Sequence, residues 1–233
     1  LEGAEMNIDL SPLIISLKTS LVAVFFTFIL GIVAARCMLH ASGKVQWILD
    51  VIFTFPLVLP PTVVGYILLV FFGKNSFIGN LLSKINISII FTWEATVISA
   101  IIVSFPLMYR AAKGAFDQID MNLIWAARTL GLSELKIFIK IMIPLALPGI
   151  ISGAILAFAR ALGEFGATLM IAGNIPKVTQ TIPIAIYFAN ASGKTEVASF
   201  WTVIIIGISL VVLGFMNYLG FKEKRSISGG TTK

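Results

Sequence analysis

The chain has 233 residues, 58% hydrophobic and only 12% charged, with a mean hydropathy of +1.00. That balance excludes an ordinary soluble domain, in which about 25% of residues carry charge. The net charge of +6 does not indicate a nucleic-acid groove, because no basic face recurs along a soluble element. Cys37 is the only cysteine, so no internal disulfide can form. What remains is an all-α, polytopic membrane protein made of one transmembrane domain, because several apolar runs reach the roughly 20 residues that a spanning helix needs.

In chain order, the first ten residues carry Glu2, Glu5 and Asp9 and no base. Met6 reads as the natural start, with the five residues before it foreign to the protein. A first span is expected over about 12–39. Its basic residue Arg36 follows the apolar run, unlike the charges of a cleaved signal peptide, and Lys18 near the other end can snorkel. A second span, about 47–72, contains FPLVLPPTVVGY. Pro56, Pro60 and Pro61 remove amide donors, so this helix is expected to be kinked or locally opened. Hydrocarbon tolerates such a break only where the freed carbonyls face protein or water. The break, together with Thr62, is therefore expected to line a passage or its gate; the alternative is a packing kink.

A third span is expected over about 89–112, bent at Pro106. A loop over 114–140 follows, with a short helix at Leu123 to Leu130 that stops at Gly131, where a residue without a Cβ can close a helix in the left-handed conformation. A charged connector then leads into a fourth span over about 141–172, interrupted only by Arg160 and Glu164. The segment from Asn174 to Ser199 is too broken by Pro176 and Pro183 for a crossing, so TIPIAIYFA either re-enters or lies against the bundle. A fifth span is expected over about 201–221, with a disordered polar tail from Ser226. With these spans, Arg36, Lys44, Arg110, Lys113, Arg128, Lys136, Lys140, Lys222, Lys224, Arg225 and Lys233 fall on one side. Lys74, Lys84, Lys177 and Lys194 fall on the other. This positive-inside bias puts the N-terminus outside and the C-terminus in the cytoplasm.

Few side chains could carry chemistry. Arg160 and Glu164 are four apart and share a helix face, where they can pair. They either help an anion through, together with Thr168, or fix the helix against a neighbour; the structural reading is preferred because a paired arginine attracts a further anion weakly. Gly163, Gly166, Ala159, Ala161 and Ala167 allow close helix approach. Ser192-Gly193-Lys194-Thr195 imitates the end of a phosphate-binding loop, but position 188 is Phe where that loop needs glycine. His40 has no partner at metal-ligand spacing. No catalytic role, bound nucleotide or metal is therefore expected of this chain.

The loop and the fourth span also carry a resemblance. Ala126, Ala127, Gly131, Ile141, Ile143 and Pro144 match the pattern E-A-A-x3-G-x9-I-x-L-P by which permeases of ABC importers dock on their ATPase. Trp125 stands in place of the usual Glu and Ile143 in place of Leu, the second change nearly neutral in volume. The stretches Phe55 to Phe72, Ser104 to Phe116 and Leu156 to Pro183 resemble molybdate ABC-transporter permeases, with sulfate or thiosulfate permeases the nearest alternative. The resemblance implies a type I ABC-importer permease fold with five transmembrane helices and a cytoplasmic coupling helix in the inner membrane. It implies a homodimer with one pathway, an external oxyanion-binding protein that delivers molybdate or tungstate, and two ATPase subunits that hold ATP and Mg. Ala126, Ala127, Arg128, Gly131, Leu132, Ile141, Ile143 and Pro144 would form the coupling segment of an alternating-access cycle. An ATP-independent carrier fits less well, because neither PLVLPP nor AARTLG recurs as an internal repeat.

Overall fold

The structure is a computed structural model that describes residues 9–228; the expected start at Met6 and the end of the tail lie outside them. Among the described residues eleven helices follow one another: α1 Ser11–Met38, α2 Gly43–Val58, α3 Pro61–Phe72, α4 Phe77–Lys84, α5 Trp93–Asp117, α6 Met121–Thr129, α7 Glu134–Ile137, α8 Ile143–Leu162, α9 Gly166–Ala172, α10 Ile182–Ala191 and α11 Thr195–Ser228. A five-residue π-turn, Phe138–Met142, joins α7 to α8 without a break in the helix. No strand occurs among the described residues. Among the described residues four helices are long and apolar enough to cross a membrane alone: α1, α5, the α7–α8 rod and α11. A fifth crossing exists only when α2 and α3 are taken together.

Three spans differ most from the sequence reading, while the third is shifted along the chain to Trp93–Asp117. The second is no kinked rod but an elbow, with α2 and α3 bent by 110° at the break. Leu59 (φ −71°, ψ 141°) and Pro60 (φ −54°, ψ 135°) are both extended. Each precedes a proline, whose ring disfavours helical geometry in the residue before it. Pro56 and Pro106, which lack a second proline beside them, sit inside α2 and α5 without ending either helix. The fourth span stops at Leu162 instead of reaching 172 and resumes as the short α9. The fifth is longer than expected, because α11 starts at Thr195 and continues past Ser226, so the polar tail begins inside a helix. The segment between α3 and α5 contains the short helix α4.

The central packing is α5 against α1 on one side and α8 on the other, made close by small residues. A Cβ at Gly31 of α1 would meet the Met108 side chain at 2.7 Å, and one at Gly153 of α8 would meet the Ala111 Cβ at 2.4 Å. In a bilayer, where apolar side chains gain nothing by leaving lipid, such close approach is a main source of helix affinity. Met38, Met108, Tyr109, Ala112, Phe138 and Ile150 fill this interface. A second core joins α3, α5 and α9 through Val64, Leu68, Val103, Ala167 and Ile171. α10 is only ten residues long; it lies against α11 and is tied to α1 by the Ile182 amide, which donates to Ser16 Oγ at 2.8 Å. It does not cross.

Candidate functional site

The loop between α5 and α8 has a defined shape. Asp120 caps α6 by accepting from the Asn122 amide at 2.9 Å. The helix ends as its sequence implied: Gly131 sits at φ 75°, its amide donates to Arg128 O at 2.9 Å, and the Leu132 amide donates to Ala127 O at 3.2 Å. This paired closure satisfies two carbonyls that would otherwise be orphaned. Arg128 then reaches across the turn, with Nε 2.7 Å and Nη2 3.2 Å from the two carboxylate oxygens of Glu134. The hydrogen bond from Arg128 holds the Glu134 carboxyl below the usual carboxylate range. The fork-shaped pair fixes the angle between α6 and the α7–α8 rod more than it stabilises the fold, since both groups are solvated.

The two alanines do different things. Ala127 is buried with Ile124 and Ile137, under which Ile141 also packs. Ala126 is exposed, on a face with Leu123 and Leu130, the last 81% exposed. Only one of the two alanines therefore lies on the outer surface: a helix turns about 100° per residue, and adjacent positions cannot share its outermost line. Leu132 and Pro144 are exposed, and Ile143 is half-buried at the start of α8.

Arg160 and Glu164 pair, as their spacing implied, with Nη1 2.6 Å from Oε2. Glu164 is only 2% exposed, and its Oε1 accepts from the Ala167 amide at 2.7 Å, which starts α9. One carboxylate thus closes α8 and opens α9. The same point meets the elbow: a Cβ at Gly166 would lie 3.1 Å from Pro61 Cβ and 3.3 Å from the Thr62 amide nitrogen, and one at Gly65 would lie 2.7 Å from Ala167 Cα. The structure therefore brings Pro61, Thr62 and the Arg160–Glu164 pair to one junction. Pro60 and Thr62 are exposed there and Pro56 is half-buried. Thr168 is not on that surface; it is buried and shares a 2.8 Å hydrogen bond with Ser99 of α5. Ala161, Gly166 and Ala167 make the close contacts expected of them, whereas Ala159 and Gly163 are exposed.

Sequence reasoning missed Asp50. Tyr109 is fully buried and donates its hydroxyl to Asp50 Oδ1 at 2.8 Å, tying α2 to α5, with Phe53 and Phe105 packed around the phenol ring. A lone carboxylate in the apolar run of the second span was the available signal. The Ser192 to Thr195 stretch also finds its physical cause. Gly193, at φ 73°, ends α10 while the Lys194 amide donates to Ala189 O at 2.9 Å, so the glycine serves a helix turn.

Residues 27–225 match the family described as binding-protein-dependent transport system inner membrane component. The chain belongs to this family. Among its relatives, YvgM of Bacillus subtilis (strain 168), named for molybdenum transport as a permease, is 50% identical over 207 residues, covering 88% of this chain and 91% of that protein. The molybdenum transport system permease protein ModB of Escherichia coli (strain K12) is 42% identical over 208 residues, with the same coverage. In the solved structure of a bacterial ABC transporter involved in import of the polysaccharide alginate, a chain superposes with a TM-score of 0.73, covering 96% of this chain and 80% of that one. Its 16% identity makes that likeness one of fold. The family's members are multi-span transport components, and this fold is that of an importer permease.

Proposed function

We propose that this chain is the permease subunit of an ATP-driven importer that moves molybdate into the cytoplasm. The observation that carries the substrate is the 50% identity over 207 residues to a relative named for molybdenum transport. Two copies form one pathway, two ATPase subunits dock at α6, and an external binding protein delivers the anion. The distribution of lysine and arginine supports an outside N-terminus and a cytoplasmic α6.

The geometry supports a mechanical route. The exposed apolar surface of α6 around Ala126 and Leu130 seats in the ATPase, and the closing ATPase dimer moves it. Arg128 and Glu134 carry that motion across the turn to the α7–α8 rod. At the far end of the rod, Arg160 and Glu164 join α8 to α9, which rests on the elbow at Pro61 and Thr62. A shift at α6 is thus delivered to the broken helices, which are bistable joints in a way that straight packed rods are not. The chain binds no nucleotide itself; ATP and Mg belong to the partner.

Co-purification and reconstitution test this. An ATPase bound at one per copy, with molybdate uptake that requires ATP and the binding protein, is the expected result. Uptake that proceeds without ATP overturns the importer. Sulfate outcompeting molybdate and tungstate for the cognate binding protein overturns the substrate alone.

A further inference from the structure

α4 has no role in the route just described, and its outer face has no partner among the described residues. Its placement is rigid. Ser76 Oγ donates to Phe71 O at 2.6 Å and accepts from the Gly79 amide at 2.8 Å. A Cβ at Gly79 would fall 1.9 Å from Gly73 O, so α4 is folded hard against the end of α3. At about 100° per residue, Phe77 and Leu81 point away from that contact. With Ile85 at the helix end they form an i, i+4, i+8 row, exposed by 86%, 56% and 62%. Single exposed apolar residues need no explanation, but a row of three large ones on one face of a short helix does.

The surroundings indicate what covers the row. α3 exposes Tyr66, Ile67, Val70 and Phe71 up to the turn that leads into α4, so the apolar row continues a surface that already suits hydrocarbon. Lys74 and Lys84, both exposed, stand just before and at the end of α4. Apolar anchors beside lysines at the end of a hydrophobic element match the boundary between acyl chains and headgroups. We propose that α4 is an interfacial anchor, with Phe77, Leu81 and Ile85 inserted among the lipids and Lys74 and Lys84 on lipid phosphates. It fixes the depth of α3, and so gives the α2–α3 elbow a fixed point to bend against.

The test uses the full chain in a Cys37→Ser background with Phe77→Cys, Leu81→Cys or Ser83→Cys, each carrying an environment-sensitive fluorophore, in phosphatidylcholine vesicles. Position 83 is exposed but lies on the polar side. Lipids brominated near the headgroup are expected to quench the labels at 77 and 81 several-fold more than the label at 83, and aqueous iodide the reverse. Iodide reaching 77 and 81 as readily as 83 overturns the proposal. So does protection of 77 and 81 from both quenchers, which is the result expected if a second copy or another protein covers the row.

Discussion

Removing the Arg160 guanidinium would strand a carboxylate that is 2% exposed and has, among the described residues, only the Ala167 amide left as partner. Breaking a buried pair from one side costs about 3–5 kcal/mol, whereas neutralising both partners costs far less. Arg160→Gln is therefore expected to lower the unfolding temperature in detergent markedly, and Arg160→Gln combined with Glu164→Gln to recover most of the loss. If the recovered protein also transports, the pair is structural; if it folds but does not transport, the pair acts on the anion. At the other end of the rod, the Arg128–Glu134 clamp has a pH signature. Glu134 has a lowered folded pKa, so its contribution to loop order is complete above the unfolded value and is lost as pH falls through the lowered one. Limited proteolysis of the loop should accelerate on acidification in the wild type, and should show no such step in Glu134→Gln.

Among single elements, α6 allows the sharpest separation of fold from coupling. Nothing lies within 4 Å of a Cβ placed at Gly131, but its φ of 75° strains any L side chain, by about 1–2 kcal/mol. Gly131→Leu is expected to leave the bundle folded and to uncouple ATP hydrolysis from uptake. An unchanged ratio of ATP hydrolysed to molybdate imported would remove the docking role of the turn. Gly131 also marks what the sequence made legible. A glycine after a short helix signature announced both the turn and its handedness, and the four-residue spacing of Arg160 and Glu164 announced their pair. Other features were hidden because they depend on neighbours distant in sequence. Glu164 capping a new helix depends on Gly166 having room beside Pro61, and Asp50 depends on a tyrosine from α5. The elbow was half legible: the prolines located it, but its 110° turn follows from two consecutive extended residues, Leu59 and Pro60, whose effects add. α4 escaped because an eight-residue helix gives too short a hydropathy signal.

Across the whole molecule, stability rests on close approach of backbones, and the glycines divide by what faces them. A Cβ at Gly65 would meet Ala167 Cα and Met170 Cβ at 2.7 Å, one of them backbone, while one at Gly114 would meet nothing within 4 Å. Gly65→Val is expected to pry α3 from α9, with loss of both thermal stability and uptake. Gly114→Ala, inside α5, should stabilise by about 0.5–1 kcal/mol. Calorimetry in detergent that found the two variants alike would show that the α3–α9 contact is not a structural joint. The π-turn gives the rod a different property. Its Ile143 amide reaches Phe138 O, five residues back, so this stretch holds one residue more than a regular helix would need. Dropping a single residue there should let the backbone close into uniform winding with both flanks keeping their facing. A chain one residue shorter would thus fold as before yet stiffen the lever between α6 and α8, turning a yielding shaft into a rigid one.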